Sequence, residues 1–421
     1  MPQNDLPALV SAAVDERVAD LIAWRRTIHS HPETAHTEHE TSSFIRSVLA
    51  AEGLTPREIS GTGVVVDIGP DPRHERETPQ DGGASPAERA RRTGGKDRRP
   101  GRVALRADID ALPIQERTGL PFASRRAGFA HACGHDIHTS ALLGAALALR
   151  SLEKAGGLPR GVRLIFQPAE EGQPSGARTL SDAGVLDGVG QIFALHCDPK
   201  IDVGRLGTRI GAITAASDAI TVAVRSTGGH TSRPHLTGDV VHALSTVVTS
   251  LPAVLHRTVD PRIGIDLTFG QIQAGTAPNA MPSSGLLRGT LRCLDTDAWR
   301  LAGDLIEPSV RSILAPYDVE VDVEVLRGIP PVVNDERATR VLDDAAKAVL
   351  GPDSTELTEQ SLGGEDFAWY LERVPGALAR LGTRTPGGTT YDLHRGDAIF
   401  DEGAIANGAK VLAAAALFAA D

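Results

Sequence analysis

The feature that most narrows the fold is an alternation of short apolar runs and helical segments between residues 102 and 196. RVALRADID (102–110), GVRLIFQP (161–168) and GQIFALH (190–196) have strand length and are rich in branched residues. Between them, HTSALLGAALALRSLEK (138–154) and GARTLSDAG (176–184) carry helical spacing. Strands separated by helices of this length pair in parallel, with the helices covering the sheet. The predicted class is therefore α/β, a mostly parallel sheet with helices on both faces. Open sheets of this kind place ligands beyond strand ends. Asp108 and Asp110 finish one run, Glu170 and Glu171 follow the next, and His196 finishes the third.

The flanking sequence extends this plan. Residues 8–30 and 37–52 read as two helices separated by HSHPETA, where Pro32 interrupts the spacing, and GTGVVVDIG (61–69) reads as a further strand. Segment 72–100 contains no Val, Ile, Leu or aromatic residue, so it cannot contribute to a core and is expected to be a disordered hairpin insert. From 214 the pattern becomes strand, helix, strand, strand, helix, strand, which predicts a split βαβ sandwich inserted at 214–328. Residues 1–213 and 329–421 then form the main domain. A chain of 421 residues suits two cores better than one.

Charge and cysteine usage exclude some roles. A formal net charge of −11 argues against a nucleic-acid surface, which needs clustered Lys and Arg. Three cysteines (Cys133, Cys197, Cys293) make a disulfide framework improbable, and acids near the start stand where a signal peptide would be basic, so a cytoplasmic location is expected. VLAAAALFAA (411–420) is too short to span a membrane and is expected to pack as a terminal helix.

Several short motifs carry candidate chemistry. HACGHDIHTS (131–140) places Cys133 and His135 in a Gly-containing loop before a helix, whose N-terminus favours an anionic ligand. As an isolated pair these residues fit a metal ligand or an ordinary loop equally well. QPAEEG (167–172) sets two carboxylates on opposite sides of extended backbone, so one can bind a metal while the other takes a proton from water. Exposed Glu-Glu pairs are common, but a buried strand that delivers two acids calls for cations nearby. His196 in ALHCDP, read alone, suits a hydrogen-bonded structural residue. His394 in YDLHRGD, and Glu365 with Asp366 in GGEDF, lie on loops nearer the end of the sequence. Convergence of these groups at one sheet edge, with no G-x-S-x-G or P-loop motif, favours metal-assisted hydrolysis. His131 and His138 are expected to support the site without binding metal.

At this point the sequence resembles a known family. LRADIDALPIQE, HACGHDIHTS, QPAEEG, LHCDP, GGHTSRPH, GTAPNAMP, GTLRCLD, GGEDFAWY and LHRGDAIFDEGAI occur in the order found in zinc-dependent amidohydrolases that include aminoacylases, hippurate hydrolases and indoleacetyl-amino acid (auxin conjugate) hydrolases. The resemblance runs from about residue 20 to the last residues. It implies two divalent ions, zinc first, with manganese or cobalt also suited, held by Cys133 as a bridge with His135, Glu171, His196 and His394. Glu170 matches the family's general base and Asp110 a supporting carboxylate. The inserted domain resembles the family's lid and dimerisation domain, implying a homodimer. In that domain His230 matches a histidine that meets the substrate carbonyl, and Asn279 and Arg292 match substrate-binding positions. Cys197 departs from the usual Val beside His196, and is either a small buried residue or a redox-sensitive neighbour.

The expected activity is hydrolysis of the amide bond of N-acyl amino acids. Alternatives are a dipeptidase, carboxypeptidase or desuccinylase of the same mechanism, or, in a different class, an inactive metal-binding sensor or carrier of amino-acid conjugates. No nucleic-acid or membrane partner is expected.

Overall fold

The computed structural model describes residues 5–70 and 101–419, so the insert expected at 72–100 lies outside the described residues. The chain divides into two compact units, one of Met1–Ile210, Asn334–Thr358 and Trp369–Asp421, the other of Gly211–Val333 and Glu359–Ala368.

The first unit is built on an eight-stranded sheet. Its strands are β1 (Arg57–Ile59), β2 (Gly63–Ile68), β3 (Arg102–Asp108), β4 (Val162–Gln167), β5 (Val189–Asp202) and β6 (Leu206–Thr208), joined by β11 (Thr355–Leu357) and β12 (Gly376–Arg384). The spatial order is β1-β2-β4-β3-β5-β12-β6-β11. The four central strands β4, β3, β5 and β12 pair in parallel, and antiparallel pairs flank them. The fold is thus the mixed α/β, mostly parallel arrangement expected from the alternation.

Side-chain alternation along the strands sorts the two faces of the sheet. Val64, Val66, Val103, Leu105, Leu164, Phe166, Phe193, Leu195, Ala379 and Leu381 point into one large core. Helices α1 (Leu6–Asp15), α2 (Val18–Ser30), α3 (His39–Ala51), α4 (His135–Lys154), α8 (Glu336–Leu350) and α10 (Gly403–Phe418) contribute buried side chains to it. Each fully buried Leu or Phe there contributes about 1.5–3 kcal/mol. The alternate positions are mixed: Val65, Ile165, Ile192 and Leu378 are apolar, while Arg106, Asp108, Gln167, His196 and Arg380 toward the strand ends are polar, and all are buried. On that face the short helix α5 (Gly176–Asp182) approaches the sheet, since a Cβ on Gly63 would lie 3.2 Å from Leu180.

Two expectations about the first unit's elements need correction. The single helix expected at 8–30 is two, because the backbone leaves helical geometry at Arg17, whose guanidinium instead bonds Asp20 and Glu52. His196 does not end its strand: β5 continues to Asp202, held by pairing of Arg384 with Asp202. His196 lies beyond the last residue pair between β3 and β5, Arg106 with Ala194, so β3 does not cover it, although its parallel pairing with β12 continues.

The second unit is a four-stranded antiparallel sheet of β7 (Ala216–Arg225), β8 (Ile265–Ala274), β9 (Ser284–Cys293) and β10 (Glu320–Ile329), in the order β8-β9-β7-β10. Helices α6 (Val240–Thr258) and α7 (Thr296–Leu314) pack on it, giving the strand–helix–strand–strand–helix–strand series. Asp239 and Asp295 cap the two helices by accepting the His242 and Ala298 N–H groups, a device that contributes about 1 kcal/mol each. Segment Glu359–Ala368 belongs with this unit and not with the main domain to which the sequence pattern assigned it. Backbone bonds explain this: Ala215 N–H donates to Ser361 O, Ser361 N–H donates to Ile213 O, and the Arg292 guanidinium donates to Leu362 O. No helix of the described residues is long and apolar enough to cross a membrane.

Candidate metal centre

The first unit gathers the candidate ligands from three loops, the start of α4 and one strand. Ala130 and Leu112 exchange backbone hydrogen bonds, and His394 N–H donates to Ala132 O at 2.9 Å, so the Cys133 loop is tied on both sides. Gly134 then turns the chain into α4 with φ +89°, and a Cβ there would sit 2.8 Å from Cys197 Sγ. Only glycine satisfies both constraints without cost. His135 thus opens α4 directly after Cys133.

Each imidazole is oriented by a second contact. His135 Nδ1–H donates to Asp110 O at 2.9 Å, leaving Nε2 buried without a hydrogen-bond partner. His196 Nδ1–H donates to Cys197 O at 2.8 Å, and its Nε2 lies 3.5 Å from Cys133 Sγ. A donor bond at one ring nitrogen fixes the lone pair on the other, which is how metal-binding histidines are prepared. His138 differs: Nδ1 donates to Asp108 Oδ1 at 2.5 Å and Nε2 accepts the Cys197 N–H at 2.7 Å, so both nitrogens are spent.

The carboxylates are held by backbone geometry. Ala169 adopts φ +51°, rare for a residue with a side chain, and its N–H donates to Glu38 Oε1 at 2.8 Å. Glu170 and Glu171 follow this bend. Glu171 N–H donates to Asp110 Oδ2 at 3.0 Å, and its Oε1 lies 2.9 Å from His394 Nε2. Gly172 completes the turn, since a Cβ there would lie 2.4 Å from Ala35 Cβ.

Ligand atoms of Cys133, His135 and His196 lie within 4.8 Å of one another, as do those of Cys133, Glu171 and His394, and those of His135, Glu170 and Glu171. Cys133 is common to the first two groups. Asp110, expected as a support, touches both His135 and Glu171. The three candidates of the inserted sequence lie in the second unit. There His230 pairs with Ala280, its Nδ1 accepts the Ser232 N–H, and the carbonyl of the adjacent Asn279 accepts the Thr231 N–H. Arg292 is not grouped with them; its guanidinium holds Leu362 O.

Electrostatics follow from burial and neighbours. Burial pushes the Cys133 thiol up to about 12 against the pull of His135. Burial also opposes ionisation of Asp108, but His135, Arg106 and His138 outweigh it and hold the carboxyl well below its usual range. Burial, the Arg380 charge and His138 together push the His196 imidazole well below its usual value. The sequence marks Asp108 only as a strand-end carboxylate, and it does not point to Glu38 or Arg380. The one available signal was a charged residue within an apolar run, as in LRAD and ALARLG.

Residues 104–417 match the model for peptidase family M20/M25/M40. The chain belongs to this family. The N-acetyl-L-cysteine deacetylase of Bacillus subtilis is 36% identical to this M20-family chain over 390 residues, covering 91% of this chain and 84% of that protein. A putative glutamate–cysteine ligase 2-3 of Rhodococcus jostii is 45% identical over 411 residues, 97% of this chain, which spans only 48% of that relative's length. Among solved structures, the YXEP protein of Bacillus subtilis, described as a dinuclear metal-binding peptidase of the M20 family, superimposes with TM-score 0.77 at 32% identity, covering 96% of this chain and 98% of that one.

The donor set of this M20-family chain fits divalent ions. One thiol, three imidazoles and two carboxylates converge, and the buried His135 Nε2 makes no hydrogen bond among the described residues. Soft and borderline donors of this mixture suit zinc, and the nitrogen and oxygen donors also admit manganese or cobalt.

Proposed function

We propose that the chain is a metal-dependent amidohydrolase that cleaves N-acyl amino acids to a carboxylate and a free amino acid. The observation that carries this reading is the placement of Cys133 between two donor groups, His135 with His196 and Glu171 with His394, with Glu170 alongside His135 and Glu171. Cys133 would be shared by the two ions, with His135, His196, Glu171 and His394 as the other residues that would hold them. Bound ions would lower the pKa of water and polarise the scissile carbonyl.

Glu170 is the general base in this reading. Its carboxylate follows the bent Ala169 and belongs to the same group as the ligand Glu171, so it accepts a proton from the attacking water and returns it to the leaving nitrogen. Asp110 keeps His135 and Glu171 in register through its carbonyl and carboxylate. His230, Asn279 and Arg292 are assigned to substrate recognition by family resemblance, as is assembly into a homodimer. The deacetylase relative supports acyl-amino acid chemistry; the peptidase description of the YXEP protein supports dipeptides as the second substrate class.

A panel of N-acyl amino acids and dipeptides, assayed before and after chelation and metal add-back, tests the reading. Turnover of acyl-amino acids that disappears with chelator and returns with metal is expected. Metal-replete protein that turns over neither class, while binding a conjugate tightly, would replace the enzyme with a carrier.

A further inference from the structure

Buried arginines in the first unit are, with one exception, committed to acids of the same unit. Arg25 donates to Asp136 at 2.6 Å, Arg106 to Asp108 at 2.6 Å and Arg163 to Asp67 at 2.7 Å. Arg102 lies 3.9 Å from Asp67. Arg380 is 8% exposed, yet among the described residues its guanidinium has no carboxylate within 4.0 Å and no hydrogen bond. A guanidinium stays charged in proteins, so one that is largely buried and has no acid beside it attracts an anion that can reach its remaining open surface.

Its position is informative. Arg380 on β12 is the register partner of His196 on β5 in a parallel pair, so the two side chains rise from the same face of the sheet on strands about 4.8 Å apart. The neighbours Ala379 and Leu381 point into the opposite, apolar core. The guanidinium therefore stands on the face opposite that core, beside a candidate metal ligand. Its other strand neighbour, Gly207 on β6, has no side chain that can pair with it.

We infer that Arg380 is a carboxylate-binding residue of this site, selecting substrates that carry a second carboxylate besides the α-carboxylate of the amino acid. This rests on the proposed amidohydrolase reading and names a substrate class within it. The second carboxylate comes from an acidic amino-acid side chain or from a dicarboxylic acyl group, and a planar fork of donors matches either. A monoanionic substrate leaves the guanidinium without its partner.

The test compares N-acetylglutamate, N-succinylalanine and N-acetylalanine as substrates of metal-replete wild type, Arg380→Met and Arg380→Lys. The wild type is expected to prefer one dianionic substrate, and the identity of that substrate tells which source is used. Arg380→Met should lower its kcat/KM on the order of 10- to 100-fold, the loss expected for a charge-assisted contact, while N-acetylalanine changes little. Arg380→Lys should recover part of the preference. An equal loss on all three substrates, or no preference in the wild type, overturns the inference and leaves the amidohydrolase reading intact. Calorimetric titration of the metal-replete protein with succinate and with butyrate decides the matter even if none of the three is turned over. Succinate should bind more tightly to wild type and lose that advantage in Arg380→Met; equal binding of the two acids by wild type overturns the inference.

Discussion

The buried carboxylate of Glu38 accepts the backbone N–H of Ala169 at 2.8 Å, one residue before Glu170. That contact, with a second from Thr62 Oγ1 at 2.7 Å, holds Ala169 in a left-handed conformation that costs a residue with a side chain about 1–3 kcal/mol. The aim of Glu170 thus depends on an acid 132 positions earlier in the sequence. Glu38→Ala leaves a buried N–H unsatisfied and should reduce stability by about 1–3 kcal/mol. It should also lower kcat by roughly tenfold or more through misplacement of the base, with KM less affected. Glu38→Gln keeps an acceptor and should restore most of both. Melting curves and steady-state kinetics on the two variants check this; kcat unchanged in Glu38→Ala would separate the contact from catalysis.

Ligands and base should separate cleanly by metal content. Glu170→Ala is expected to retain its ions while kcat falls roughly 10²- to 10⁴-fold, the usual contribution of a general base. Cys133→Ser and His394→Ala are expected to lose metal together with activity. Elemental analysis beside kinetics distinguishes the two patterns, and a fully active Glu170→Ala would remove the base assignment.

Gly134→Ala should be among the more damaging single-methyl changes in the first unit. It forces φ +89° on a residue with a side chain and drives a Cβ to 2.8 Å from Cys197 Sγ, directly between Cys133 and His135. Gly188→Ala serves as the control, because its φ of +76° is similarly unfavourable but nothing lies within 4 Å. The control should cost about 1 kcal/mol, and Gly134→Ala more, with loss of metal affinity. Equal melting temperatures and equal metal content for the two would refute the close-packing argument.

The Arg25–Asp136–His29–Glu116 network predicts a stability window in pH. Burial disfavours the Asp136 carboxylate, but Arg25 and His29 hold its pKa well below the usual 3.8, so its contribution is present above about pH 3.8 and lost as pH falls further. Burial also disfavours protonated His29, but Asp136 and Glu116 outweigh it and raise its pKa above 6.5. That contribution is present below about pH 6.5 and lost as pH rises through the folded value. The network should therefore stabilise most between about pH 4 and 6.5. Wild-type and His29→Gln melting temperatures should differ most in that range and converge at higher pH; a constant difference would show that His29 does not titrate with folding.

Much of the site was legible because its signals are local. Cys133 and His135 are two residues apart before a helix, Glu170 and Glu171 follow an apolar strand, and the strand-helix alternation brings these ends to one edge. The same strand–helix alternation announced the parallel sheet. Long-range partners left no such mark. Glu38 lies in a polar stretch before α3 with no periodic signal, and nothing in ALARLG says whether Arg380 has an acid opposite.

The sequence by itself determined which residues offer metal-compatible groups and which strands lead to them, because these signals lie within a few residues of one another in local order. Tertiary structure alone decided that β5 runs past His196 to Asp202, that Glu359–Ala368 joins the second unit, that Glu38 secures the bend before Glu170 and that Arg380 stands beside His196 without an acid. Each of these depends on hydrogen bonds or charges between segments far apart in the chain, and such pairings exist only once the strands have taken their order in the sheet.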